Sequence, residues 1–108
     1  MKSAVKNVLN SLKRASAAQT RPAVDYPASG ETVVSAQYTV RVSAPENAET
    51  VDVSIDQGPW LSCRKAEGFW WYDWSGYADG AHAVIARTPG KNGRFLVSAP
   101  VGFKVLRP

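Results

Sequence analysis

Residues 69–74 of this 108-residue chain read Phe69-Trp70-Trp71-Tyr72-Asp73-Trp74, five aromatic rings around one carboxylate. A strand sends alternate side chains to opposite faces, so this run cannot all be core. Rings left on an outer face could stack on sugars or anchor a protein contact, where aromatics carry much of the binding energy. A neighbouring strand, a loop or the N-terminal segment covering them is the competing structural reading. Asp52, Asp56, Asp73 and Asp79 supply carboxylates of the kind that calcium sites and glycoside hydrolases use, but neither spacing motif is present. Asp56 and Asp79 stand close before turn glycines, where an aspartate commonly bonds the turn's own backbone. His82 could serve as a base, yet no recognisable nucleophile motif ties a serine or cysteine to it. Cys63, the one cysteine, has no internal disulfide partner and reads as a small core hydrophobe between Ser62 and Arg64; bridging to another chain would need it exposed. With His82 alone beside it in type, no zinc cluster can be assembled. No catalytic residue, metal ligand or cofactor is expected.

The elements that must position these residues change character near residue 31. From there the hydrophobic period is two, and turn residues punctuate the chain about every ten positions, which predicts strands. These are expected at Glu31 to Ser35, Gln37 to Ser43, Thr50 to Asp56, Trp60 to Lys65, Phe69 to Trp74, Ala81 to Arg87 and Arg94 to Leu106, the last with a break at Pro100. Ala44-Pro45-Glu46-Asn47, Asp56-Gln57-Gly58-Pro59, Glu67-Gly68, Ala78-Asp79-Gly80 and Pro89-Gly90-Lys91-Asn92-Gly93 supply the turn chemistry between them. Tyr38, Val40 and Val42 share one parity, and Val51, Val53 and Ile55 another, each opposed by polar residues. Such half-buried strands suit a two-sheet antiparallel sandwich of about seven strands; a closed barrel is the alternative.

Length and charge bound the rest. The chain holds one domain, able to bury roughly two-thirds of its unfolded surface. No stretch is long and apolar enough to cross a bilayer as a helix. The net charge of +4 is uneven: residues 1–21 carry five bases and no acid, whereas residues 22–108 carry eight bases and nine acids. The near-neutral body offers no phosphate-tracking stripe, so no specific nucleic-acid binding is expected of it. Residues 1–21 form an arm in which Val5, Val8, Leu9 and Leu12 recur at helical spacing, with Lys2, Lys6, Lys13 and Arg14 mostly off that face. A short basic amphipathic helix is expected, and at this length it needs a surface to dock on. Lys6, Asn7, Asn10, Ser11, Lys13 and Arg14 interrupt any secretory-type apolar run. Residues 22–30 then read as a linker and approach, and 31–108 as the sandwich domain.

Pro27-Ala28-Ser29-Gly30, the Val51-x-Val53-x-Ile55-Asp56-x-Gly58 hairpin, Trp70-x-Tyr72-x-Trp74 and Asp79-Gly80-Ala81-His82-Ala83-Val84 carry a resemblance over about Pro27 to Val105. The body resembles bacterial immunoglobulin-like modules near the fibronectin type III branch. The Asp79–Val84 segment is similar to the corner of that architecture, with His82 where a tyrosine would stand and Val84 where a core cysteine would. The disulfide-bearing antibody subfamily therefore does not apply, and a histidine at that corner is expected to bond a nearby backbone carbonyl. The resemblance implies that Trp70, Tyr72 and Trp74 point inward and that Phe69 and Trp71 point out beside Asp73, making a flat aromatic platform with Tyr77. It also implies a noncatalytic module.

The function expected is thus an immunoglobulin-like interaction or assembly module, a structural or decorating subunit that binds another protein or a second copy of itself. Incorporation into a bacterial or phage surface assembly would fit. The alternative is a carbohydrate-binding module using the same platform with Asp73, Ser75 and Arg64 as hydrogen-bonding groups. The basic arm is the candidate for an anionic partner, its apolar stripe for docking.

Overall fold

The computed structural model describes residues 19–107; the expected helix over the arm, with Lys2, Lys6, Lys13, Arg14, Val5, Val8, Leu9 and Leu12, lies outside the described residues. The described part is all β apart from a 3₁₀ turn at Lys91–Gly93. Its strands are β1 (Ala23–Tyr26), β2 (Thr32–Val33), β3 (Gln37–Ser43), β4 (Asp52–Ile55), β5 (Leu61–Ser62), β6 (Arg64–Ala66), β7 (Phe69–Ser75), β8 (Gly80–Pro89), β9 (Phe95–Val97) and β10 (Val101–Val105). They form two sheets, one ordered β1-β3-β7-β6 and the other β2-β10-β8-β4-β5 with β9 beside β8. Every pairing is antiparallel except β2 with β10.

The alternation read from the sequence is the alternation of the core. Val40 and Val42 of β3, Val53 of β4, Trp70 of β7, Val84 and Ala86 of β8, and Phe103 and Val105 of β10 close the space between the sheets. Tyr38, Tyr72 and Trp74 pack against this core from their strands. Hairpin geometry follows turn chemistry. Glu67 and Gly68 take positive φ (54° and 82°), the conformation a two-residue turn needs to match strand twist, and join β6 to β7.

Two segments depart from the expected organisation. The segment before residue 31 contributes β1, which pairs with β3 across a bulge between Val24 and Tyr26. The strand expected over Trp60 to Lys65 is two: β5 pairs with β4 in one sheet, and β6 pairs with β7 in the other. The chain changes sheets at Cys63, whose N–H bonds the Val51 carbonyl at 2.9 Å. The final strand breaks at Ser98-Ala99-Pro100, as expected, because proline cannot donate to the ladder. Its second half, β10, is flanked by residues 30–33 through Gly30 N–H to Gly102 O (2.8 Å), Lys104 N–H to Glu31 O (2.9 Å) and Leu106 N–H to Val33 O (2.9 Å).

Candidate interaction faces

The first sheet turns its outer face on β3, β7 and β6. Register places Arg41 of β3 and Arg64 of β6 on either side of Trp71. The Arg41 guanidinium lies over the Phe69 ring at 4.1 Å and the Tyr26 ring at 4.6 Å, and its Nε donates to Asp25 at 3.2 Å. Ser43 also donates to Asp25. A planar cation between two rings, held by a carboxylate, is well suited to this packing. Phe69 and Trp71 do point out, as the alternation requires, but they do not form a flat platform. Their rings meet edge to face at 6.1 Å and 74°, and the Trp71 indole N–H donates to the Ala66 carbonyl at 2.9 Å. Both are half-buried, because Arg41 covers one and the strand β6 backbone holds the other. Asp73 is exposed and shared between Thr39 Oγ1 (3.0 Å) and Arg64 (3.2 Å).

Tyr77, expected on the same face, is in the core at 6% exposure. It follows the end of β7, where the chain folds back, so strand parity does not govern it. Its ring stacks on Trp74 at 3.9 Å, and its hydroxyl donates to the Ser35 carbonyl at 2.6 Å. That bond satisfies the one polar atom the ring takes inside.

The second sheet carries a matching cluster that sequence reasoning missed. Arg87 of β8 lies 4.2 Å from the Trp60 ring and 4.0 Å from the Phe95 ring, and its Nε donates to Asp52 of β4 at 3.0 Å. Register sets Arg87 between Asp52 and Val97. Trp60, Phe95 and Val97 all remain substantially exposed. Trp60 directly follows a turn proline and Phe95 lies in a three-residue strand, so neither sits in a run long enough to show a face by alternation. The outward parity of Arg87, read against Ala86, was the one available signal.

His82 holds the corner between the sheets. Nδ1 is 2.6 Å from Asp56 Oδ2 and Nε2 is 2.7 Å from the Ala78 carbonyl, so both ring nitrogens face acceptors. Burial alone would lower its pKa, but the hydrogen bonds to Asp56 and Ala78 outweigh it and raise the pKa. The second Asp56 oxygen accepts the Ala83 N–H at 2.9 Å. Asp56 and Asp79 were expected to bond their own turns; Asp56 instead ties its turn to β8, and Asp79 accepts the Arg107 N–H at 3.1 Å. Cys63 packs against the core; burial, with a contribution from Asp52, pushes its thiol up to about 12. It is therefore a thiol at neutral pH and a poor nucleophile.

With this geometry in place, comparison with solved structures agrees with the fold. The chain is similar to the fibronectin(III)-like modules of Clostridium thermocellum CbhA, at 17% identity and a TM-score of 0.65 over 80% of this chain and 94% of that one. It is also similar to part of a modular endo-β-1,4-mannanase from Cellulomonas fimi, at 27% identity and a TM-score of 0.55 over 81% of this chain and 18% of that one. No protein-family model matches, and no curated protein does. The fold is an immunoglobulin-like sandwich of the fibronectin type III-like kind.

Proposed function

We propose that this protein is a noncatalytic interaction module that binds another protein chain through the outer face of its first sheet. The observation that carries the reading is the Tyr26–Arg41–Phe69 stack with Trp71 and Asp73 beside it. Aromatic rings and arginine are the residues that protein interfaces favour and hot spots use. Here the arginine is already immobilised by Asp25, so little side-chain entropy is lost on binding. In the arm, Lys2, Lys6, Lys13 and Arg14 orient the module on an acidic partner, while Val5, Val8, Leu9 and Leu12 supply the apolar contact. The test is retention of a specific partner by the tagged full chain. Trp71→Ala or Arg41→Ala should release it without loss of the folded β spectrum; retention unchanged in both variants overturns the reading.

A sugar-binding reading has its own support in the half-exposed Trp71 flanked by Arg64 and Asp73, and in the likeness to part of a modular mannanase. Depletion of the protein from solution by insoluble mannan or cellulose, abolished by Trp71→Ala, would favour it over the protein-binding reading.

A further inference from the structure

Among the described residues, the last strand is covered along only half its length. Beside β10 run residues 30–33, but β9 has β8 on one side and, among the described residues, no strand on the other. Ser98 N–H bonds the Ala86 carbonyl at 2.8 Å and Gly90 N–H bonds the Arg94 carbonyl at 2.7 Å, with Thr88 in register with Leu96 between them. In an antiparallel ladder the bonded positions alternate, so Leu96 directs its backbone groups toward β8. Phe95 and Val97 direct their N–H and C=O groups outward. Their side chains, and that of Leu96, are between 37% and 46% exposed. An edge of outward amides and carbonyls with apolar side chains is a template for another strand. Natural proteins blunt such edges by shortness, charge, proline or bulges, and β9, though only three residues long, carries no charge, proline or bulge within it.

We infer that β9 is an assembly edge, on which the β9 strand of a second copy of this chain adds antiparallel about a two-fold axis at Leu96. The inference goes beyond the first-sheet reading, since it concerns an edge of the second sheet and stands on its own observations. The hydrogen-bonding groups call for a strand. The chain's own arm is poorly suited to that role, since Val5, Val8, Leu9 and Leu12 recur at helical and not at alternating spacing. β9 itself fits. With the axis at Leu96, Phe95 falls opposite Val97 of the second copy, and each such pair exchanges both of its N–H···O bonds. The flanking Arg94 falls opposite Ser98, so no like charges meet. Phe95 and Val97 lie on the Arg87 side, so the joint would extend the Trp60–Arg87–Phe95 face across both copies.

Sedimentation of the full chain, with amide hydrogen exchange read at Phe95 and Val97, tests this. As concentration rises about a hundredfold, the mass should move from one chain toward two, and these two amides should gain protection together. The double variant Phe95→Lys with Val97→Lys puts like charges face to face across the joint and should stay monomeric. Phe95→Lys with Val97→Glu puts opposite charges there and should associate again, which separates loss of the joint from loss of the fold. A chain monomeric throughout, a dimer indifferent to the double-lysine variant, or protection independent of concentration each overturns the inference. Retention of a different partner by the double-lysine variant, still lost with Trp71→Ala, would leave the interaction-module reading standing without it.

Discussion

Trp70 and Trp71 are chemically identical neighbours with opposite positions in the sandwich. Trp70 is buried among the core valines, whereas Trp71 lies half-buried on the outer sheet. Trp70→Ala should therefore cost about 3 to 5 kcal/mol and Trp71→Ala markedly less, in denaturant titrations of each variant. Equal losses would show that the faces are assigned wrongly. His82 gives the fold a pH dependence. A histidine whose pKa is raised on folding adds stability that is fully present below its unfolded value, about 6.5, and is lost as pH rises through the folded value. Melting temperature should accordingly fall from mildly acidic toward alkaline pH. His82→Gln should flatten that slope, and a wild-type profile that rises over the same range would contradict the geometry.

At the scale of the element, the break between β9 and β10 is held by one hydroxyl. In an unbroken ladder the Ala86 N–H would bond the carbonyl of the residue opposite. Here Ser98 donates its own N–H to the Ala86 carbonyl, while its Oγ accepts the Ala86 N–H at 2.8 Å and donates to the Ala99 carbonyl at 3.0 Å. The hydroxyl thus replaces the backbone acceptor that the bend before Pro100 turns away. Ser98→Ala leaves a buried N–H unsatisfied and should cost about 1 to 3 kcal/mol by chemical unfolding, with Ser98→Thr far milder. A neutral Ser98→Ala would mean that the break is not pinned there.

For the whole molecule, the buried hydrophobic cluster among the described residues runs from Val33 to Val105, with Val24 packed against it and Pro22 and Pro27 fully buried at its edge. Removal of residues 1–18 should leave the melting temperature nearly unchanged. The circular-dichroism difference between the full and shortened chains should be helical if the arm's apolar spacing forms the helix it encodes. A large loss of thermal stability would show that the arm is part of the folded core. A difference spectrum without helical character would show that the stripe does not fold alone.

Local chemistry made much of this architecture legible. The period-two runs at Tyr38–Val42 and Val51–Ile55 determined which hydrophobic side chains face the core, although Ser54 of the other parity is also buried, with its hydroxyl donating to the Gly58 carbonyl. The Glu67-Gly68 pair determined a tight hairpin, because pleat and turn are short-range constraints. Cys63 as a packed thiol and His82 as a carbonyl-bonding corner were likewise readable, the latter through the resemblance. Only the tertiary structure decided what depends on distant partners. Tyr77 went inside because Trp74 and the Ser35 carbonyl received its two ends. Phe69 and Trp71 lost their flatness to Arg41 and to the Ala66 carbonyl. Trp60, Arg87 and Phe95 became one cluster because the crossing between sheets and the strand register carried residues 27 and eight positions apart into van der Waals reach, a juxtaposition that no local pattern encodes.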